Sequence, residues 1–175
     1  MNYLNRLIVL AACILLSALA QADDQDQKYE KCESAQRSSN SALAADDWAA
    51  VQKYEKKAIL YCTDAGDPSF EIVLDYGTLS EAQFNLKRFQ DALNTANTCI
   101  DTYYNAPTCH FYKVLTLKRL GKSAEAVRAK EIALKVFNTI MAEDENNTNE
   151  TKHYVNVLKI EKQYSEMYSE KLASG

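Results

Sequence analysis

Residues that break helices are scarce in this chain. Four Gly and two Pro in 175 residues leave too few turn formers for an all-β sandwich or barrel. Histidine is equally rare: His110 and His153 are the whole supply. A metal centre draws on convergent His, Cys, Asp or Glu at diagnostic spacing, so no metal site is expected. Cys109-His110 lacks the second Cys of a haem-attachment motif, and His110 reads as a packed or surface residue near a turn. There is no Gly-x-Ser-x-Gly, no phosphate-cradling Gly loop, no His-Glu-x-x-His and no Cys-x-x-Cys. The chain is therefore not expected to be an enzyme or to carry a cofactor. Basic runs are also missing. Lys118-Arg119 with Lys122 nearby is the one cluster, and the net charge is −4 with a pI near 5.3. Nucleic acid is excluded as the main partner, because phosphate binding needs a concentrated basic face.

Only one long apolar run is present, and it lies at the amino end. Leu7 to Leu16 follows a short polar start with Asn2, Asn5 and Arg6, and Ala20-Gln21-Ala22 precedes the acidic Asp23-Asp24-Gln25-Asp26. Ten apolar residues are too few to span a bilayer comfortably, but they suit a secretory leader. Residues 1–22 are expected to be a signal peptide of bacterial character, cleaved near Ala22, which places the mature protein in the periplasm or outside the cell. Loss of Arg6 takes the charge to 19 minus 24, or −5. Leu10-Ala11-Ala12-Cys13 resembles a lipobox, which would make Cys13 a lipid anchor. Lipidation there would strand Ile14-Leu15-Leu16 on the mature protein, so ordinary cleavage is favoured, with no membrane insertion afterwards.

The rest of the chain has helical periodicity. Trp48, Val51, Tyr54, Ala58, Ile59 and Cys62 form an i, i+3, i+4 stripe, with Asp46 and Asp47 placed to cap its start. Asp67-Pro68 is a helix start, Asn105-Ala106-Pro107 a turn, and Leu120-Gly121 a helix end. Glu143 to Glu150 reads as a polar loop holding two formal glycosylation acceptors, at Asn146 and Asn149. Phe89, Ala92, Ala96, Cys99 and Ile100 recur as Ser123, Ala126, Lys130, Ala133 and Leu134, an offset of 123 minus 89, or 34.

That period resembles the tetratricopeptide (TPR) family of stacked helix–turn–helix units. Leu79, Ala82, Phe84, Leu86, Phe89 and Ala92 fall where the family keeps packing residues, with Ser80 in place of the usual small Gly or Ala. Leu120-Gly121 and Ala126 match more loosely. Trp48, Val51, Ala58 and Ile59 mark an earlier unit, 89 minus 48 or 41 residues before, with about seven residues inserted near Thr63 to Asp67. The resemblance implies an all-α superhelix of about three units (30–64, 68–104 and 107–142) closed by a capping helix over 151–172, all one domain spanning 23–175. A helical bundle without repeats stays open as the alternative.

Four Cys remain after leader removal: Cys32, Cys62, Cys99 and Cys109. An even number in an exported protein implies two disulfides, with three possible connectivities. In an antiparallel helix pair, residues equidistant from the turn face each other. Cys32 and Cys62 centre on 47, and Cys99 and Cys109 on 104, both at expected turns. No other pairing centres both bridges on a turn.

In the TPR family the first helix of each unit lines the inner face, and the resemblance implies a protein or peptide partner held there. The expected binding residues are Asn40, Glu81, Phe84, Asn85, Phe111, Leu115, Lys118 and Arg119. Core packing is the competing role for Phe84 and Phe111. Some family members clamp a partner's terminal carboxylates. Asn40 fits that clamp, but Thr78, Thr108 and Tyr112 replace its other residues, so it is not expected. Acidic residues on helices normally form a solvated face, and sequence does not show which of them meet. The leading functional reading is an exported adaptor or assembly module. The alternative is a periplasmic immunity or inhibitor protein that neutralises a toxic effector enzyme.

Overall fold

The computed structural model describes the backbone of residues 3–65, 70–143 and 152–174, and the side chains of 24–65, 72–143, 159 and 162–174. The described residues form seven helices and no strand: α1 (Tyr3–Ala44), α2 (Trp48–Asp64), α3 (Phe70–Asn85), α4 (Phe89–Thr102), α5 (Pro107–Arg119), α6 (Ser123–Ala142) and α7 (Lys152–Ala173). Each packs on its chain neighbour, and the first helices also touch, α3 on α5 and α5 on α7. This is an all-α helical repeat: three hairpins and a closing helix. The backbone of the expected leader is continuous with α1. Its side chains, Cys13 included, and the cleavage near Ala22 fall outside the described residues, as do Asn146 and Asn149.

The repeat is written into the backbone at the three hairpin turns. Asp46, Lys87 and Gly121 each have positive φ, at 53°, 61° and 72°. Each turn closes with the same two bonds of a Schellman motif. Asp47 N–H donates to Ala42 O at 3.0 Å, Arg88 N–H to Gln83 O at 2.8 Å, and Lys122 N–H to Leu117 O at 3.0 Å. The inner bonds run from Asp46 to Leu43, Lys87 to Phe84 and Gly121 to Lys118. The turns are 87 minus 46, or 41, and 121 minus 87, or 34, residues apart. These are the spacings of Trp48, Phe89 and Ser123, which open the three second helices. The Asp47 carboxylate also accepts from Ala50 N–H at 3.0 Å, capping α2.

Small residues set the helix spacing. Ala92, Ala96 and Cys99 of α4 and Ala126 and Ala133 of α6 are buried, so neighbouring backbones approach closely. Ser80 is buried too, and its hydroxyl donates to Ala92 O at 3.1 Å, tying α3 to α4. Gly77 brings α3 so near α5 that an added Cβ would lie 2.9 Å from Thr108 Cβ. The largest apolar cluster joins α4, α5, α6 and α7 around Val114, Leu117, Val136, Phe137 and Ile140, with Tyr168 and Leu172 of α7 sealing it. The closing helix thus covers apolar surface that a terminal repeat would expose.

The cysteines fall in two bonded pairs. Cys32 joins Cys62 across α1 and α2, with Cα atoms 4.9 Å apart, and Cys99 joins Cys109 across α4 and α5, at 6.3 Å.

Candidate functional site

The first-helix face carries a pit of about 320 Å³ between α1, α3 and α7. Gln36, Asn40 and Leu43 of α1 form one wall, and Leu74, Asp75 and Thr78 of α3 the other. Tyr164 of α7 reaches across to the rim, and Glu55 of α2 lies at the base. None of these described lining residues is basic.

Glu55 is 3% exposed and Asp75 6%, so two carboxyl groups share a nearly dry floor. The Ser39 hydroxyl donates to Glu55 Oε1 at 2.6 Å, and the Glu55 carboxyl is also hydrogen-bonded to that of Asp75. Gln36 Nε2 donates to Asp75 Oδ2 at 3.1 Å. Cys62 sulfur lies 3.8 Å from the same oxygen, but as half of a disulfide it has no hydrogen to donate. Burial, and then the negative charge of Asp75, push the Glu55 carboxyl up to about 8, against a smaller opposing pull from Ser39. Glu55 therefore holds a proton at neutral pH.

This pair is what sequence reading missed, although a signal was present. The buried residues of α2 are Val51, Glu55, Ala58 and Cys62. Glu55 thus sits on the apolar stripe, four residues after Val51 and three before Ala58. Asp75 likewise falls between Ile72 and Leu79 on the buried side of α3. A carboxylate inside a helical apolar stripe is the readable mark of a buried acid; its meeting with a second acid from another helix is not.

The expected binding residues divide into three groups. Asn40, Asn85, Lys118 and Arg119 are exposed, and of these only Asn40 lines the pit. Asn85 spends its amide on Glu81 O at 3.1 Å. Glu81, Phe84 and Leu115 are half-buried. The Glu81 carboxylate takes a hydrogen bond from Tyr112, whose phenol is raised by burial first and by this charge second. Phe84 meets Phe89 edge-on at 5.5 Å, and the Arg119 guanidinium lies 5.9 Å from the Phe84 ring. Leu115 packs against the α4–α7 cluster. Phe111 corrects the expectation. It is 5% exposed because Tyr168 of α7 covers its ring, so it is a core residue and offers no free surface. The sequence placed α7 as a cap but gave no sign that its aromatic ring would land on this position.

His110 is buried at the α4–α5 turn. Its Nε2 is 2.8 Å from Tyr104 O, and burial lowers its basicity. Among the described residues no group of three or more His, Cys, Asp or Glu is placed to hold a metal ion.

No protein-family profile matches the sequence, and no curated protein does. Among solved structures the chain is similar to the TPR2B domain of yeast Sti1, in a structure described as its complex with pHsp70. The TM-score is 0.56 over 77% of this chain and 97% of that one, at 17% identity. The likeness shows the fold: this chain is TPR-like.

Proposed function

We propose that this chain is an exported binding module that holds a polypeptide against the face of α1 and α3, as an adaptor or assembly factor, with no catalytic step of its own. The observation that carries this reading is the pit on the first-helix face. Its lining mixes apolar Leu43 and Leu74 with the polar ends of Asn40 and Thr78, a combination suited to side chains with an orienting polar group. The TPR-like fold supports a protein or peptide partner by analogy with the pHsp70 complex of the structural neighbour. The two disulfides fit an oxidising compartment, in line with the leader-like amino end. No helix among the described residues is long and apolar enough to cross a membrane.

A photo-crosslinking residue at Asn40 or Thr78, compared with one at the exposed Leu60 of α2, tests the reading in cells that make the full chain. A discrete polypeptide adduct at the first two positions and none at Leu60 is expected. Adducts equal at all three, or confined to Leu60, would remove the pit as the binding face.

A further inference from the structure

We propose that Asp75 shields the Cys32–Cys62 bridge from thiol–disulfide exchange, so that a dithiol opens Cys99–Cys109 first. In this role the acid pair needs no ligand and is independent of any partner on the first-helix face.

The two bridges are equally hidden. Cys32 is 1% exposed and Cys62, Cys99 and Cys109 are 0%, so access to the sulfurs does not rank them. Aromatic packing does not either, since Tyr76 and Tyr103 pack against the clusters of both bridges. The charge beside the sulfur does. Cys99 and Cys109 cluster with Val73 and Ala106. Asp101, two residues from Cys99, is exposed. His110 follows Cys109, but burial lowers its basicity and its Nε2 faces Tyr104 O. Cys62 instead has Asp75 Oδ2 3.8 Å from its sulfur, on a side chain that is itself buried. Gln36 Nε2 donates to the same oxygen, and the Glu55 carboxyl is hydrogen-bonded to the Asp75 carboxyl. Glu55 keeps its proton at neutral pH, so the negative charge of the pair stays on Asp75, the group beside the sulfur.

A dithiol reduces a disulfide in two displacements. A thiolate of the reagent bonds to one sulfur, the S–S bond breaks, and its electron pair leaves on the other sulfur as a thiolate. The second thiolate of the reagent then closes the reagent's own disulfide and releases the first sulfur. The reagent gives up two electrons and two protons, and the two cysteines end as thiols. Asp75 opposes both possible first steps. Attack on Cys32 makes Cys62 leave as a thiolate beside a carboxylate. Attack on Cys62 brings an anionic nucleophile to the same place. A like charge within about 4–6 Å disfavours an ionised group, and a leaving thiol that ionises less readily slows exchange. Burial disfavours a thiolate at both bridges alike, whereas the carboxylate acts at Cys32–Cys62.

The test is a reduction time course with dithiothreitol on the folded, oxidised protein at neutral pH. Each time point is trapped with iodoacetamide and mapped by peptide mass. Cys99–Cys109 should open about tenfold faster than Cys32–Cys62, so that a species with Cys32–Cys62 alone intact accumulates. Asp75→Asn should speed the opening of Cys32–Cys62 about tenfold while Cys99–Cys109 keeps its rate. The second bridge thus serves as an internal control for general loosening of the fold. Glu55→Gln alters the floor of the pit but leaves the Asp75 charge, and should keep Cys32–Cys62 slow. The order of opening in the unaltered protein gives a separate reading should the Asn variant fold poorly. Opening of Cys32–Cys62 first, or of both bridges together, would overturn the shield. So would an Asp75→Asn variant that speeds both bridges alike or neither, or a Glu55→Gln variant that speeds Cys32–Cys62 as much as Asp75→Asn does.

Discussion

The ring of Phe111 stacks on that of Tyr168, with centroids 4.2 Å apart and planes 13° from parallel. One ring belongs to the last repeat and the other to the closing helix, and Lys171 Nζ lies about 6 Å from both centroids, at 5.9 and 6.0 Å. This pair fixes α7 on α5. Truncating a buried aromatic costs about 3–5 kcal/mol. Phe111→Ala and Tyr168→Ala should each lower the thermal midpoint by several degrees and expose α7 to proteolysis. The double variant should cost less than the sum, because the stacking is lost only once. Additive losses in chemical denaturation would show that the rings do not act as a pair.

Lys87 occupies a left-handed position that glycine fills in the third turn. A residue with a Cβ in that conformation costs about 1 kcal/mol relative to glycine. Lys87→Gly should therefore raise stability by about 0.5–1 kcal/mol, read from the urea midpoint at unchanged slope. A drop in the midpoint would mean that the Lys87 side chain makes a contribution larger than the backbone strain.

Gly77 invites the opposite experiment. Alanine normally stabilises a helix interior over glycine by roughly 0.5–1 kcal/mol. Here its Cβ would fall 2.9 Å from both Cβ and Cγ2 of Thr108, and a short branched side chain has little room to yield. Gly77→Ala should destabilise the α3–α5 contact, and adding Thr108→Ala should restore most of the loss. A Gly77→Ala variant as stable as the parent would show that the two helices separate freely.

Glu55 makes stability depend on pH. Its carboxyl is raised from an ordinary 4.5 to about 8 in the folded chain, so between those values the folded state holds a proton that the unfolded state has released. Stability should fall as pH rises through this window and level off above it, losing about 1.4 kcal/mol at most for each pH unit crossed. Glu55→Gln keeps an acceptor for Ser39 and has no proton to lose, so its stability should be flat over the same range. Parallel slopes for the two proteins in denaturant titrations at pH 5, 6, 7 and 8 would assign the dependence to another group.

Digestion without reduction should yield two linked peptides, Cys32 with Cys62 and Cys99 with Cys109. By loop entropy each bridge is worth about 3 kcal/mol. A peptide linking Cys62 to Cys99 would contradict both pairings.

Much of the architecture is legible in the sequence because it rests on local chemistry. The 34-residue offset locates Phe89 and Ser123 where α4 and α6 begin. Gly121 announces its own turn, whereas Lys87 does not: nothing about lysine signals positive φ, and only the period places that turn. Midpoint symmetry brings out both cysteine pairs because each is short in sequence and spans one turn. The binding face is harder to read. Whether Phe111 is bare or covered depends on where α7 lands, 57 residues later by 168 minus 111. The acid pair depends on how α2 rotates against α3. Periodicity reports which side of a helix is buried, and says nothing of which neighbour it meets.

The two bridges also divide the chain unevenly. Cys32–Cys62 closes one hairpin on itself, but Cys99–Cys109 spans the seam between one repeat and the next. In a stack where each unit leans only on its neighbours, such a seam decides how far a disturbance travels. Fraying that starts in α7 or α6 can run back through α5, and there it reaches a covalent stop at Cys109. The two acids lie beyond that stop, on α2 and α3. In oxidised protein, then, the carboxy-terminal part can open and lift Tyr164 from the rim while the floor of the pit keeps its shape. In reduced protein the same opening has an uninterrupted path to the floor.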